Sequence, residues 1–266
     1  MKLSRFARST LGLATGLVLV LVYIPLLVVL VNSFSTSQSL SWPPPGFTTD
    51  WWGKAFQSQG ALEAVATSVQ VGLIATVIAL ILGTAISFAL QRFAFFGRDA
   101  ISLLVILPIA LPGIITGIAL NNFFRTIMGV PLSIWTIVIA HATFCVVTVF
   151  NNVIARLRRM GTNLEEASAD LGAGVWTTFR LVTFPQLRSA LFAGGLLAFA
   201  LSFDEIIVTT FTAGVGVTTL PIFILDNMFR PAQAPIVSVI AVVMIAVSIV
   251  PIWIAQRLAG NEKIVR

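Results

Sequence analysis

Asp204 and Glu205 stand side by side in Gln186–Gly214, a run whose only other charge is Arg188. A carboxylate at membrane depth costs on the order of 3 kcal/mol by insertion scales and tends to face a cavity or a partner. The chemistry open to such a residue is electrostatic: an anion that replaces part of the hydration shell of an incoming cation. Read as one helix begun near Arg188–Leu191, the run lifts Asp204 by about 20 Å, past the midplane into the outer half of a bilayer. Neighbours on a helix point about 100° apart, so one pocket is not served equally by both acids. Asp204 is taken as the cavity residue, with Glu205 beside it and Phe203 and Phe211 as apolar walls. A salt bridge to Arg125, Arg230 or a partner chain is the alternative use of either acid.

No catalytic set is legible. The sequence contains no G-x-x-x-x-G-K-[ST] loop, so ATP phosphates are not cradled by that route. His141 and Cys145 are each the only residue of their kind, which leaves no metal-ligand cluster and no disulfide within the chain. His141 is read as a polar packing residue bonded across helices rather than a proton relay. No enzyme activity, cofactor or metal is expected.

The second polar feature is Gly161–Pro185, the longest polar interval in the chain, preceded by Arg156, Arg158 and Arg159 and closed by Arg180 and Arg188. Thr162 with Glu165 has capping-box spacing. Glu165, Glu166 and Asp170 place negative charge in the early turns of a helix, where its dipole favours it. Gly172 is the expected stop. A second short helical run, Val175–Leu181, is expected to end before Pro185. Ala167, Ser168 and Ala169 are small enough for another backbone to come close. Local physics alone also allows an ordinary surface helix in a loop.

Glu166-Ala167-Ser168, three residues, Gly172, nine residues and Val182-Thr183-Phe184-Pro185 resemble the EAA loop of ABC importer permeases. The chain departs from that pattern at Ser168, Val182 and Phe184, all mild changes in volume. The likeness continues through Gly194-Gly195, Ser202-Phe203-Asp204-Glu205, Phe211 to Gly214 and Thr219-Leu220-Pro221. It covers nearly the whole chain and looks like the second permease subunit of the putrescine/spermidine type. The resemblance implies an all-α integral membrane protein of the type I ABC importer permease fold, with six transmembrane helices and a cytoplasmic coupling helix. It implies that Glu165, Glu166, Ala167, Ser168, Ala169, Gly172 and Pro185 couple to an ATPase. It implies a dimer of ATP-binding subunits, a second permease subunit in a heterodimer and an extracytoplasmic substrate-binding protein. In polyamine-type permeases the matching acidic pair is linked to substrate passage.

These features need a bundle to position them, and composition supplies its solvent. The chain has 266 residues, is 58% hydrophobic and only 10% charged. A soluble domain carries about 25% charged residues. The net charge of +6 could be taken for a nucleic-acid signal, but Lys and Arg sit in short loops, which fits membrane topology and not nucleic acid. One permease domain is expected over residues 1–266, with spans near 10–32, 64–90, 100–122, 130–155, 186–213 and 235–256 and the coupling loop at 160–185. The first is read as an uncleaved helix, since it is too long for a signal-peptide core. Pro108 and Pro112-Gly113 should kink the third run, and Asn121-Asn122 mark its outer end. Gly72, Gly83, Gly117, Gly194 and Gly195 should allow close helix contacts. Trp42, Phe47, Trp51 and Trp52 are read as an aromatic belt at the interface, in preference to a ligand site. Thr218-Thr219 should cap a short interfacial helix running to Phe229, with Pro221 in its first turn.

Of 16 Lys and Arg, 13 fall at the termini and in the 92–98 and 156–188 intervals, against Lys54, Arg125 and Arg230 on the other side. That asymmetry places both termini and the coupling loop in the cytoplasm of a bacterial cell, the chain being a multi-pass inner-membrane protein. The expected function is half of the path of an ATP-driven importer for a small cationic amine, a polyamine such as putrescine or spermidine. The same importer class with γ-aminobutyrate, an amino acid or an opine as cargo is the first alternative. An ion-coupled secondary transporter is the second, although such carriers usually repeat one half within the chain and no repeat is visible here.

Overall fold

The computed structural model describes residues 4–39 and 41–260, with the side chains of residue 5 and of residues beyond 247 set aside. Every regular element among them is helical; Ser35 and Phe47 form an isolated bridge. In order the α-helices are α1 Arg5–Asn32, α2 Asp50–Gln57, α3 Gln59–Arg92, α4 Arg98–Ala110, α5 Gly113–Asn122, α6 Ile134–Met160, α7 Asn163–Asp170, α8 Val175–Thr178, α9 Phe184–Phe203, α10 Ile207–Thr212, α11 Leu220–Asn227 and α12 Ala234–Gly260. Two π-helical turns, Phe123–Ile127 and Phe179–Thr183, continue α5 and link α8 to α9.

Among the described residues, four helices are long and apolar enough to cross a membrane: 6–32, 59–92, 134–160 and 175–203. A fifth span is reached if α4 and α5 count as one, although they meet at 106°. The bend is sharper than a proline kink within a helix. Leu111 sits in the extended region at ψ 141° because Pro112 disfavours helical geometry in the residue before it, and Pro112 then opens α5. Pro108, in contrast, is carried inside α4. The region expected to hold a sixth span lies in α12. The α-helix of the third run ends at Asn122, as expected, and the π-helical turn carries the run on to Ile127.

The chain forms two compact units. One comprises residues up to Leu62 with Ile224–Ile249. Its α1 exposes a full apolar surface, from Leu11 through Leu30, which only a lipid environment would accept. Below α1 the connection is an ordered knot. Trp51 is buried and its Nε1–H donates to the Ser35 carbonyl at 2.8 Å. Trp52 stacks on Phe34 at 5.3 Å. Trp42 and Phe47 are exposed, and the aromatic-belt reading is corrected for Trp51, whose indole is the core of the loop. A loop with few apolar groups must bury its largest ring to exclude water from its backbone bonds. Trp51→Ala is therefore expected to destabilise this connection by about 3–5 kcal/mol, the usual cost of emptying a buried tryptophan site. Faster proteolysis between Ser33 and Gln57, with α3 onward unaffected, is the measurement that checks it.

The other unit, Glu63–Phe223 with residues 250–260, is built around α6. A capping box starts that helix: Ser133 and Thr136 each satisfy the other's backbone or side chain. Ile137, Val138, Ala140, Cys145, Val149, Val153 and Leu157 are fully or nearly fully buried along it. The five glycines expected at helix contacts all meet close neighbours. A Cβ at Gly83 would lie 2.9 Å from the Val146 carbonyl and from Val149, and one at Gly194 would lie 3.4 Å from the Val149 backbone. Gly72 meets Phe199, Gly195 meets Leu80 and Gly117 meets Phe211. Without water to drive association, such contact of backbones is a main source of packing energy between helices in lipid. The N–H of Leu220, at the start of α11, is accepted by Ser68 Oγ at 2.8 Å, where a threonine cap was expected.

Candidate functional site

The polar interval 161–185 folds into α7, a reversal at Gly172 and the base of a long rod. Thr162 does not make the expected side-chain cap. The Glu165 carboxylate is used elsewhere: Arg92 Nη2 donates to Oε1 at 3.0 Å, and Thr183 Oγ1 donates to the same oxygen at 2.9 Å. Arg92 also donates to the Gly161 carbonyl at 2.9 Å. Two charged side chains that are only 13% and 23% exposed outcompete a solvent-facing cap, because a charge-assisted bond shielded from water is the stronger one. The carboxylate thus joins the end of α3 to the rod, and Arg92 ties in the end of α6. Ser168 Oγ lies 3.0 Å from Thr178 Oγ1 and closes α7 onto α8.

Gly172 stops α7 as expected. Its φ is +82°, its N–H donates to the Ala169 carbonyl at 2.8 Å, and Ala173 N–H donates to Ser168 at 3.1 Å. That pair of bonds is a Schellman closure, whose left-handed position excludes a Cβ at little cost. The chain then does not stop before Pro185. Val175–Phe203 is one 29-residue apolar rod. Pro185 has no N–H to give, and the π-helical turn Phe179–Thr183 absorbs the misfit by bonding the Phe184 N–H to the Phe179 carbonyl.

On the outward side of α7, Glu166, Ala167 and Ala169 are exposed. So are Leu171, Val175 and Trp176, at 89%, 90% and 72%. The sequence reading passed over these three. The signal was present: large apolar residues within the longest polar interval of the chain. Trp176 stacks on Phe179 at 5.6 Å, which fixes one edge of this patch.

The far end of the rod is the second site. The fifth apolar run is not one helix: α9 ends at Phe203, residues 204–206 are irregular, and α10 begins at Ile207. Asp204 and Glu205 therefore lie in a break, and helical phase does not decide which of them faces a path. Glu205 Oε1 accepts the Val208 N–H at 2.8 Å and so serves the start of α10. Asp204 is exposed. At the other end of α10, Asn121 Nδ2 donates to the Phe211 carbonyl at 2.6 Å, and Thr136 Oγ1 reaches the Thr212 carbonyl at 2.7 Å. Side chains of α5 and α6 thereby satisfy a helix too short to satisfy itself, as backbone at membrane depth requires. Phe211 packs on Gly117, and Phe203 lies 5.6 Å from Phe199. Among the described residues no three His, Cys, Asp or Glu side chains come together to hold a metal.

Residues 75–261 match the family described as binding-protein-dependent transport system inner membrane component. The chain belongs to that family. It is an ABC importer permease subunit and a multi-pass inner-membrane protein. The permease is 31% identical over 242 residues to the spermidine/putrescine transport system permease protein PotC of Escherichia coli, covering 91% of this chain and 90% of that one. It is 32% identical over 251 residues to the putrescine transport system permease protein PotI of the same organism, covering 91% and 88%. Its fold is shared with a chain of a bacterial ABC transporter involved in the import of alginate, at TM-score 0.74 and 15% identity over 98% of this chain and 99% of that one. The all-α permease fold implied by the EAA-like pattern is thereby established for this permease.

Proposed function

We propose that this permease forms half of the translocation path of an ATP-driven importer for a small cationic amine, a polyamine such as putrescine or spermidine. The observation that carries the cargo assignment is the identity of 30–32% with putrescine and spermidine permeases across about nine-tenths of the chain. The acidic pair at a break in an apolar run supports it, because an exposed carboxylate there offers a cation a replacement for its hydration shell. Asp204 is assigned to the path, with Phe203 and Phe211 beside it and Glu205 holding α10.

ATP hydrolysis belongs to a separate pair of ATP-binding subunits. Glu166, Ala167, Ser168, Ala169 and Gly172 form the knob that seats in them, and Glu165 joins that knob to the base of the rod, where Pro185 sits. Both termini and the knob face the cytoplasm, in keeping with the distribution of Lys and Arg. A second permease subunit completes the path, and an extracytoplasmic binding protein delivers the amine. Closure of the ATPases displaces α7. The displacement passes through Glu165 and Ser168 into the rod 175–203, whose far end is the break at Asp204, so the site changes sides. Nucleotide acts through its differential contacts with the two states.

Uptake by the full complex in proteoliposomes tests the cargo. Putrescine or spermidine transported in preference to γ-aminobutyrate, neutral amino acids and opines supports it; preference for a zwitterion or an anion defeats it. Uptake by this chain alone under an ion gradient would defeat the ATP-driven reading itself. The exposed patch supplies a further prediction. Trp176→Ser with Leu171→Ser should lower copurification of the ATP-binding subunits at least about tenfold, since large central apolar side chains carry most of a docking energy. Undiminished copurification would remove the patch from the interface.

A further inference from the structure

His141 stands about two turns into α6, fully buried, and the function described so far does not use it. Its Nδ1 lies 2.8 Å from Ser202 Oγ, one residue before the last of α9, and its Nε2 lies 2.9 Å from Thr209 Oγ1, in the first turn of α10. One imidazole therefore spans the break that carries Asp204 and Glu205.

The direction of each bond follows from proton counting. Thr209 Oγ1 is also 2.8 Å from the Glu205 carbonyl, which can only accept. The single hydroxyl proton is spent there, so Thr209 accepts from Nε2–H. A neutral ring protonated at Nε2 then has Nδ1 free to accept from Ser202. The result is a directed chain: Ser202 O–H to His141, His141 N–H to Thr209, Thr209 O–H to the Glu205 carbonyl. A protonated ring would turn the Ser202 bond round and bury a charge at a side chain only 1% exposed, which is costly. One turn further along the same face, Cys145 Sγ meets the Ala198 carbonyl at 3.3 Å, so this side of α6 holds α9 a second time, one turn from the ring.

We infer that His141 is a positioning residue for the substrate path: as a neutral Nε2–H imidazole it clamps the end of α9 to the start of α10 and so sets where the Asp204 carboxylate stands. The ring bonds both flanks of the break and touches neither acid side chain in the hydrogen bonds it makes. Its effect on the cation is exerted through the backbone of residues 203–206. In its uptake arm the inference rests on the reading of Asp204 as the path residue.

The test has an arm that does not need substrate. Leu201→Cys and Thr210→Cys, both exposed, take spin labels in the assembled complex, while buried Cys145 stays unlabelled. The native background should give one narrow distance distribution. His141→Phe should broaden or shift it. His141→Gln should restore it, because an amide offers the one donor and one acceptor that the chain needs. In the uptake arm, His141→Phe should raise the KM for putrescine about tenfold with Vmax retained, the size expected for losing the bonds that place a charged contact. His141→Gln should stay near the native KM. Should His141→Phe be too poorly assembled, Ser202→Ala and Thr209→Val carry the same test: each raises KM, and the pair together less than additively. An unchanged distance distribution in His141→Phe, a fall in Vmax at native KM, or His141→Gln as defective as His141→Phe overturns the inference. Native uptake in Asp204→Asn instead overturns the path reading and leaves the distance arm standing.

Discussion

Asp204→Asn is expected to lower kcat/KM for putrescine uptake by about ten- to a hundredfold, while assembly with the partner subunits and ATP hydrolysis persist. The magnitude follows from the 1.5–3 kcal/mol that a hydrogen bond to a charged group contributes, at about 1.4 kcal/mol per factor of ten. The substitution keeps size, removes the charge and exchanges one acceptor oxygen for a donating NH2. Asp204 is exposed, whereas Glu205 already has the Val208 N–H as a partner, so loss of charge at 204 leaves the break itself intact. Glu205→Gln should behave differently. It weakens the cap of α10 and reduces the amount of folded complex more than it changes KM. Discrimination between putrescine and a neutral analogue of similar length is the decisive readout. If Asp204→Asn transports both as the native complex does, no cation is recognised at this position.

Arg92→Leu is expected to uncouple: ATP hydrolysis continues at a substantial rate and uptake falls by at least about tenfold. Arg92 reaches both the Gly161 carbonyl and Glu165, and Glu165 in turn accepts from Thr183 at the base of the rod. Removing the guanidinium leaves the half-buried Glu165 carboxylate with one neutral partner, a loss of about 1–3 kcal/mol after allowance for its partial exposure. The helices themselves do not depend on this bond, so the membrane bundle should unfold at nearly the native temperature. Glu165→Gln should produce the same separation of hydrolysis from uptake, less severely, since the amide still accepts from Thr183. The check is the ratio of ATP hydrolysed to amine imported in proteoliposomes. A native ratio in Arg92→Leu means that force reaches the rod by another route.

Much of this was legible from residue order because local rules governed it. Gly172 could be read as a stop since the left-handed position after a helix tolerates little else. The five glycines could be read as helix contacts because in lipid small residues are the usual means of close approach. The apolar runs could be read as membrane helices because their length and lack of charge leave no other solvent for them. The EAA-like spacing, together with the acid pair, points to the family from residue order alone.

Tertiary structure decided what depended on competition between partners. Glu165 had two acceptable uses, a local cap or a distant arginine, and only the position of Arg92 at the end of α3 settled the choice. Trp51 could lie at an interface or in a core, and the folding of Ser35 beneath its indole placed it in the core. Pro185 looked like a boundary because a π-helical turn that accommodates it leaves no mark in composition. The break at 204–206 was invisible to hydropathy, since the residues that make α10 tolerable at membrane depth come from elsewhere: Asn121, Thr136 and His141 are 68 to 90 positions away from the α10 groups they bond. What the order of residues determined was solvent, helix content and family. What the assembled bundle determined was which polar group satisfies which, because a hydrogen bond across 70 residues is set by helix packing and not by neighbours in the chain.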